Sequence, residues 1–300
     1  MTSKKASLFF VAIIIFIIAL FGVEVSLGRD FFGGTTKKQN LSISTNPLLP
    51  LNKLVATSSV KAKGSPSPTT APIILGNQLR VPMLMYHYIG NNPDPRDKQR
   101  DSLSVSPDKF EEQMVYLASN GYSTTNLDTL YSSLKKVTTL PNKTIILTFD
   151  DGYIDFYHNA YPVLRRLNFQ ATVFIPTGLM NQGPYLNWSQ IQEMKASGLI
   201  SFQAHTVKHV YLPSLSDENA LFELRESKKV LESYIGSAVN FLAYPFGATN
   251  DRIINLTKQA GFTGAIGTWP NYIQAEGYIY NMPRLRVGGF TSLQVFISYL

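Results

Sequence analysis

The sequence predicts an α/β fold in which a parallel sheet closes as a barrel, and two observations predict it. From Val81 onwards, short apolar and β-branched runs alternate with helical patterns, the order that lays helices over parallel strands. The polar residues with chemical potential also follow strands: His87 the first, Asp150 and Asp151 the next clear one, His205 another, and Tyr244-Pro245-Phe246-Gly247 another. Strand C-termini form the rim on which (β/α) barrels build their sites. Alternation alone would also permit a doubly wound sheet; the rim pattern favours the barrel.

At the N-terminus, Ala6 to Val23 is an apolar segment of 18 residues between Lys4-Lys5 and Glu24. As a helix it would span about 27 Å, enough to cross a membrane. No Ala-x-Ala-like site follows Val23, so the expectation is a single-pass membrane anchor with the remaining chain extracytoplasmic; cleavage would give a secreted protein. Lys4 and Lys5 favour an inside N-terminus, opposed by Arg29, Lys37 and Lys38 beyond the segment. Residues 1–25 are thus assigned to the anchor or signal segment, and 26–75 to a flexible Ser/Thr/Pro-rich linker without periodicity. A flexible chain of that length has ends roughly 40 Å apart. Residues 76–300 form the folded domain.

Within that domain, Val81 to Tyr86 reads as the first strand. Ser106 caps and Pro107 opens a helix with Phe110, Met114 and Leu117 on one face, ended by Gly121. A second helix runs from Leu127 to Lys135. Thr144-Ile145-Ile146-Leu147 is a β-branched strand delivering Thr148-Phe149-Asp150-Asp151-Gly152. Ala160 to Leu167 is helical, Ala171 to Ile175 a strand stopped by Pro176, and Trp188 to Ala196 a helix capped by Asn187 and stopped by Gly198. Leu199 to Ala204 is a short apolar stretch leading into His205-Thr206-Val207-Lys208-His209. Ser216 caps a long helix carrying Leu221, Leu224, Leu231 and Ile235, with its Glu and Lys residues expected on a solvated outer face. Phe241 to Tyr244 is a strand, Ile253 to Gln259 a helix, Thr263 to Ile266 a strand, and Arg284 to Val287 the last strand.

Charge excludes one class of partner. Residues 1–80 hold nine Lys/Arg against two Asp/Glu, and residues 81–300 hold eighteen of each, so the net +7 belongs to the anchor and linker. A nucleic-acid-binding domain would concentrate base on a folded face, so no nucleic-acid partner is expected. With no cysteine, disulfides and thiolate metal ligands are also excluded.

Two adjacent carboxylates at a strand end repel each other unless something holds them apart in role. A cation on one keeps it ionised and leaves the other free as a base. His205 and His209, four apart, would share one face of a helical turn and could reach a single ion. Two His and one Asp with open positions is a hydrolytic zinc-type arrangement.

Thr148-Phe149-Asp150-Asp151-Gly152 followed by His205-Thr206-x-x-His209 resembles the first two motifs of the polysaccharide deacetylases, also called NodB-homology domains or carbohydrate esterase family four, over roughly residues 80–300. The resemblance implies a distorted barrel of about seven strands and an N-acetylated polysaccharide substrate. It implies Asp150 as general base and Asp151, His205 and His209 as ligands of a divalent metal, with zinc the expected ion. The third motif, usually Arg-x-Pro-Tyr-Gly, corresponds to Ala243-Tyr244-Pro245-Phe246-Gly247, with the backbone N–H of Phe246 as the expected oxyanion donor.

Two departures matter. The motif-three Arg that orients the base is Ala243 here, which leaves Arg284 or Arg286 as candidates to replace it. No histidine follows His209, so the late Leu-x-His that supplies the general acid is missing; His87 and His158 remain, and His87 is the better placed at a strand end. An early histidine and a Tyr-Pro-Phe-Gly variant are similar to the poly-N-acetylglucosamine deacetylase branch. Rival readings are an O-acetyl esterase on a polysaccharide such as xylan, a non-catalytic carbohydrate-binding domain on the same fold, and a non-haem iron oxygenase, since two His and a carboxylate also suit Fe(II).

Overall fold

The computed structural model describes residues 76–300. The expected anchor (1–25) and linker (26–75) lie outside the described residues, and among the described residues no helix is long and apolar enough to cross a membrane.

The strands in chain order are β1 (Gln78–Arg80), β2 (Met83–Tyr86), β3 (Tyr88–Ile89), β4 (Ser104–Val105), β5 (Ser123–Thr124), β6 (Thr144–Phe149), β7 (Ala171–Ile175), β8 (Ile200–Ala204), β9 (Phe241–Ala243), β10 (Gly264–Ile266), β11 (Ile273–Ala275) and β12 (Leu285–Arg286). The helices are α1 (Lys98–Leu103), α2 (Pro107–Ser119), α3 (Leu127–Leu134), α4 (Tyr161–Leu167), α5 (Trp188–Ala196), α6 (Asp217–Ile235), α7 (Asp251–Gln259) and α8 (Leu293–Ser298).

Seven strands pair in parallel in the order β10-β9-β8-β7-β6-β2-β12. The segment before β12 joins the two edges. Gly267 donates its N–H to the Met282 carbonyl (2.8 Å), Met282 to Ala265 (2.9 Å) and Arg284 to Trp269 (3.1 Å), after which β12 pairs with β2. The result is a (β/α) half-barrel of seven parallel strands, drawn round by one connecting segment rather than by a full ladder.

Period-2 alternation sorts the side chains into two layers. Ile145, Leu147 and Phe149 pack under the helices with Leu84, Tyr86, Val173, Phe202, Leu242 and Tyr244. Met83, Ile146, Phe174, Phe241, Ala243 and Ile266 fill the interior, where Leu127, Leu130 and Leu134 of α3 meet them. The inward parity of β6 therefore ends at Asp150, that of β2 at His87 and that of β8 at His205. Apolar burial orients the strands, and orientation delivers the polar ends to one rim.

The helices expected from caps at Ser106, Asn187 and Ser216 are present, and each of these side chains accepts a backbone N–H at the helix start. Asn126 and Asn250 cap two further helices in the same way.

Several short elements were not legible. α1 and the β3–β4 pair occupy what reads as a polar loop, because α1 is only six residues long and buries none of them. β1 and β11 form a separate antiparallel pair, and α8 closes the described chain with Phe296 buried. A π-helical turn at Phe156–Ala160 precedes α4. In α6, Leu221 is only half-buried while Glu223 is buried, against the expected solvated face.

Candidate active site

The described residues bring His87, Asp150, Asp151, His205, His209 and Phe246 to one cleft of about 250 Å³, together with Tyr88, Arg100, Tyr153 and Arg286. A larger hollow of about 610 Å³ lies at the N-terminal ends of β2 and β6 and contains no histidine or carboxylate in its lining.

Asp150 leaves β6 with its N–H donated to the Tyr86 carbonyl (3.0 Å), so it stands level with His87 on the neighbouring strand. Arg284 meets it in a fork: Nη1 donates to Oδ1 at 2.6 Å and Nη2 to Oδ2 at 2.7 Å. The guanidinium is fully buried, with Nε on the Gly267 carbonyl (2.9 Å) and Nη1 also on Thr148 Oγ1 (3.1 Å). Burial alone would raise the Asp150 pKa, but the Arg284 charge and its hydrogen bonds outweigh that and hold it below its ordinary value. Of the two candidate arginines, then, Arg284 contacts Asp150. Arg286 shares the inward parity, but two residues further along it is exposed at the cleft mouth.

The adjacent carboxylate faces elsewhere because the backbone turns. Asp151 and Gly152 both adopt left-handed conformations (φ 72 and 66). The left-handed backbone at Gly152 favours glycine, and a Cβ there would also press on the end of the Ile175 side chain, 2.8 Å from Cδ1. Asp151 Oδ1 lies 3.3 Å from His205 Nε2 and 3.2 Å from His209 Nε2.

The histidine pair is not on a helix. His205 to His209 is a loop with Thr206 and His209 left-handed (φ 64 and 54), so the expected helical i,i+4 geometry is corrected to a turn that folds the second imidazole back onto the first. Buried Glu223 holds this turn: its Oε2 accepts the N–H of Val207 (2.8 Å) and of Lys208 (3.0 Å). Thr177 and Gly178 donate to the Thr206 and Val207 carbonyls at 3.1 and 2.8 Å. Glu223 was missed because helical glutamates are usually solvated; its spacing with Ala220, Leu224 and Ser227 was the available signal.

Can these residues hold a cation? His205 Nδ1 is 2.7 Å from the Ala243 carbonyl, which only accepts, so Nδ1 carries the proton and the Nε2 lone pair points at Asp151. Asp151 Oδ1 is itself buried without a hydrogen-bond partner. A carboxylate oxygen and two imidazole nitrogens, all within 4.8 Å, repel unless positive charge lies between them. The pKa directions follow from the same geometry. Burial opposes both charges, yet the imidazoles hold Asp151 well below its ordinary value and the carboxylates hold His205 above its own. The residues fit a divalent metal.

His87 is mostly buried with Nδ1 unpartnered. Burial lowers its pKa; Asp150 and Asp151 work against that, and Arg284 and Arg286 with it. His158, the other unassigned histidine, is exposed on the π-helical turn and outside the cleft. In the third motif only Phe246 reaches the cleft. Tyr244 and Pro245 are buried, and Tyr244 donates its hydroxyl to the Tyr280 carbonyl (3.0 Å), because strand parity turns its ring under the helices. Phe246 is left-handed (φ 61) and 63% exposed. One wall of the cleft is a stack: Tyr88 on Tyr153 (3.9 Å), Tyr153 on Tyr185 (5.3 Å), and the Arg100 guanidinium over Tyr88 (4.1 Å).

Comparison with known proteins gives concordant likenesses. The polysaccharide deacetylase family profile matches residues 138–265. A poly-β-1,6-N-acetyl-D-glucosamine N-deacetylase of Staphylococcus aureus is 28% identical over 204 residues, 63% of this chain and 70% of that one. The crystal structure of a polysaccharide deacetylase from Bacillus cereus is 32% identical with a TM-score of 0.66, covering 74% of this chain and 69% of that one. The Streptococcus pyogenes deacetylase PplD, in complex with acetate, superposes with a TM-score of 0.69 at 29% identity, covering 74% of this chain and 98% of that one.

Proposed function

The chain belongs to the polysaccharide deacetylase family, and on that premise we propose that it is a metal-dependent hydrolase that removes N-acetyl groups from an N-acetylglucosamine-containing cell-surface polysaccharide. The observation that carries this reading is the division of two adjacent carboxylates: Asp150 forked to a buried arginine, Asp151 turned onto two imidazoles. That division equips one cleft with a fixed carboxylate and a cation site, which amide hydrolysis needs together.

Asp151, His205 and His209 would hold the ion, and their nitrogen and oxygen donors suit zinc. When bound, such an ion lowers the pKa of water and polarises the acetamide carbonyl. Asp150, oriented by Arg284, accepts a proton from the attacking water. The backbone N–H of Phe246 faces the developing oxyanion, a contribution of about 10²- to 10³-fold by the measure of other oxyanion holes. His87 delivers a proton to the nitrogen as the C–N bond breaks, leaving acetate and a free amine. Substrate identity is tested by acetate release from β-1,6-linked and β-1,4-linked N-acetylglucosamine oligomers, peptidoglycan and acetylated xylan, with and without chelator. Hydrolysis of the xylan ester alone would replace the amidase reading with an esterase one, and release unaffected by chelator would remove the metal from it.

A specific observation favours a second assignment of the protons. Both Asp150 oxygens are engaged by Arg284, whereas His87 has a free Nδ1 and a lowered pKa that leaves it neutral at pH 7. His87 could then take the proton from water and pass it to the amine itself. The pH profile separates the two. If His87 acts only as acid, kcat/KM falls as pH rises through its pKa, because the protonated form is lost. If it acts first as base, kcat/KM falls as pH drops through that value. His87→Ala should abolish the corresponding limb and lower kcat at least about tenfold; an unchanged profile would exclude both assignments.

The apolar segment Ala6 to Val23 supports a membrane-tethered, extracytoplasmic location for this activity. Protease added to intact cells should cut within 26–75 and release the domain; a protected linker would place it in the cytoplasm.

A further inference from the structure

Most aromatic faces at the cleft are already covered. Tyr88 lies between Arg100 and Tyr153, and Tyr153 between Tyr88 and Tyr185, so none of those inner faces is open to a ligand. On the histidine side two rings remain free. Phe246 is 63% exposed and Tyr211 54% exposed, with centroids 6.4 Å apart and planes inclined by 41°. The edge of this shelf is the metal-site histidine itself, since His209 packs against Phe246 at 4.7 Å.

Neither ring is there to stabilise the fold. A bulky residue in the left-handed region carries strain, and an exposed ring recovers little burial to offset it. The left-handed turn at Phe246 aims its backbone, but that geometry does not need an aromatic side chain. Tyr211 is equally free of core packing, while its backbone is set by Ser214, which donates its Oγ (2.8 Å) and N–H (3.2 Å) to the Tyr211 carbonyl. Two preset, water-exposed aromatic rings continuous with a reaction centre form a binding surface rather than a packing one.

We propose that Tyr211 and Phe246 form a sugar subsite that stacks the apolar C–H face of the pyranose next to the one bearing the reacting acetamide. The proposal rests on the deacetylase reading for the identity of the polymer. It assigns the enzyme a preference for chains over single sugars. Such a face recognises a neutral N-acetylhexosamine ring.

The test uses the full chain and N-acetylglucosamine oligomers from the monosaccharide to the hexamer, with Kd measured by calorimetry independently of acetate release. Wild type should bind longer oligomers more tightly. Tyr211→Ala should weaken hexamer binding about 3- to 10-fold, leave monosaccharide binding and the hydrolysis of phenyl acetate unchanged, and raise KM for the hexamer without altering kcat. Tyr211→Phe should retain wild-type affinity, because stacking needs the ring and not the hydroxyl. Equal hexamer affinity in wild type and Tyr211→Ala would overturn the subsite, as would an equal loss on the monosaccharide. Absence of acetate release from wild type would instead count against the deacetylase reading, leaving the binding result to decide the subsite.

Discussion

Replacement of Arg284 by methionine is expected to destabilise the folded domain by about 3–5 kcal/mol at neutral pH, the usual consequence of stranding one partner of a buried ion pair. Arg284 is fully buried and Asp150 is 4% exposed, so water cannot substitute for the lost fork. The pH dependence has a definite sign. Asp150 is held below its ordinary pKa, so its pairing contributes stability above the unfolded value, and the contribution is lost as pH falls through the folded one. Without Arg284, burial is opposed only by the weaker influence of His205 and His87, so the Asp150 pKa rises and acid relieves the variant by neutralising the stranded carboxylate. Urea unfolding at neutral and mildly acidic pH should therefore show a gap from wild type that narrows on acidification. Asp150→Asn combined with Arg284→Met should cost less than the sum of the single changes, since neither charge is then left alone. A cost below about 1 kcal/mol, typical of surface pairs, would show that the fork is solvated in solution.

The second large effect separates ion binding from chemistry. Asp151→Asn and His209→Ala should lose the metal on dialysis, whereas Asp150→Asn should retain it and lose about 10²- to 10⁴-fold in kcat. Metal content per chain and acetate release would be measured on the same preparations, with a thermal melt to establish folding, because Asp150→Asn also weakens the partner of Arg284. Equal metal loss in all three variants would make Asp150 a ligand and remove it as the proton acceptor.

The fold was legible where physical signals are local. Strand alternation, Asn and Ser caps and the apolar face of α2 are set by neighbours a few residues away, and each emerged in place. The misses share a cause. α1, β3 and β4 are too short to show a period, and β1 pairs with β11 across a separation that no local pattern encodes. Glu223 escaped because its value lies in two amide groups of another loop.

For the site, the sequence by itself determined which residues crowd one rim, since strand parity sends Asp150, His87 and His205 inward once their apolar neighbours are buried. It also limited the replacement for the absent arginine to Arg284 and Arg286, which have the same parity. Only the tertiary structure chose between them. Arg284 starts deeper in the interior, and its side chain runs up past Thr148 to reach Asp150, while Arg286 emerges at the mouth. The fate of the histidine pair was likewise a tertiary matter: left-handed backbone at Thr206 and His209, held by Glu223 and the neighbouring loop, closes a turn that spacing alone described as a helix. Side-chain facing is a local property of the strand, whereas reach and loop closure depend on what the rest of the chain places opposite.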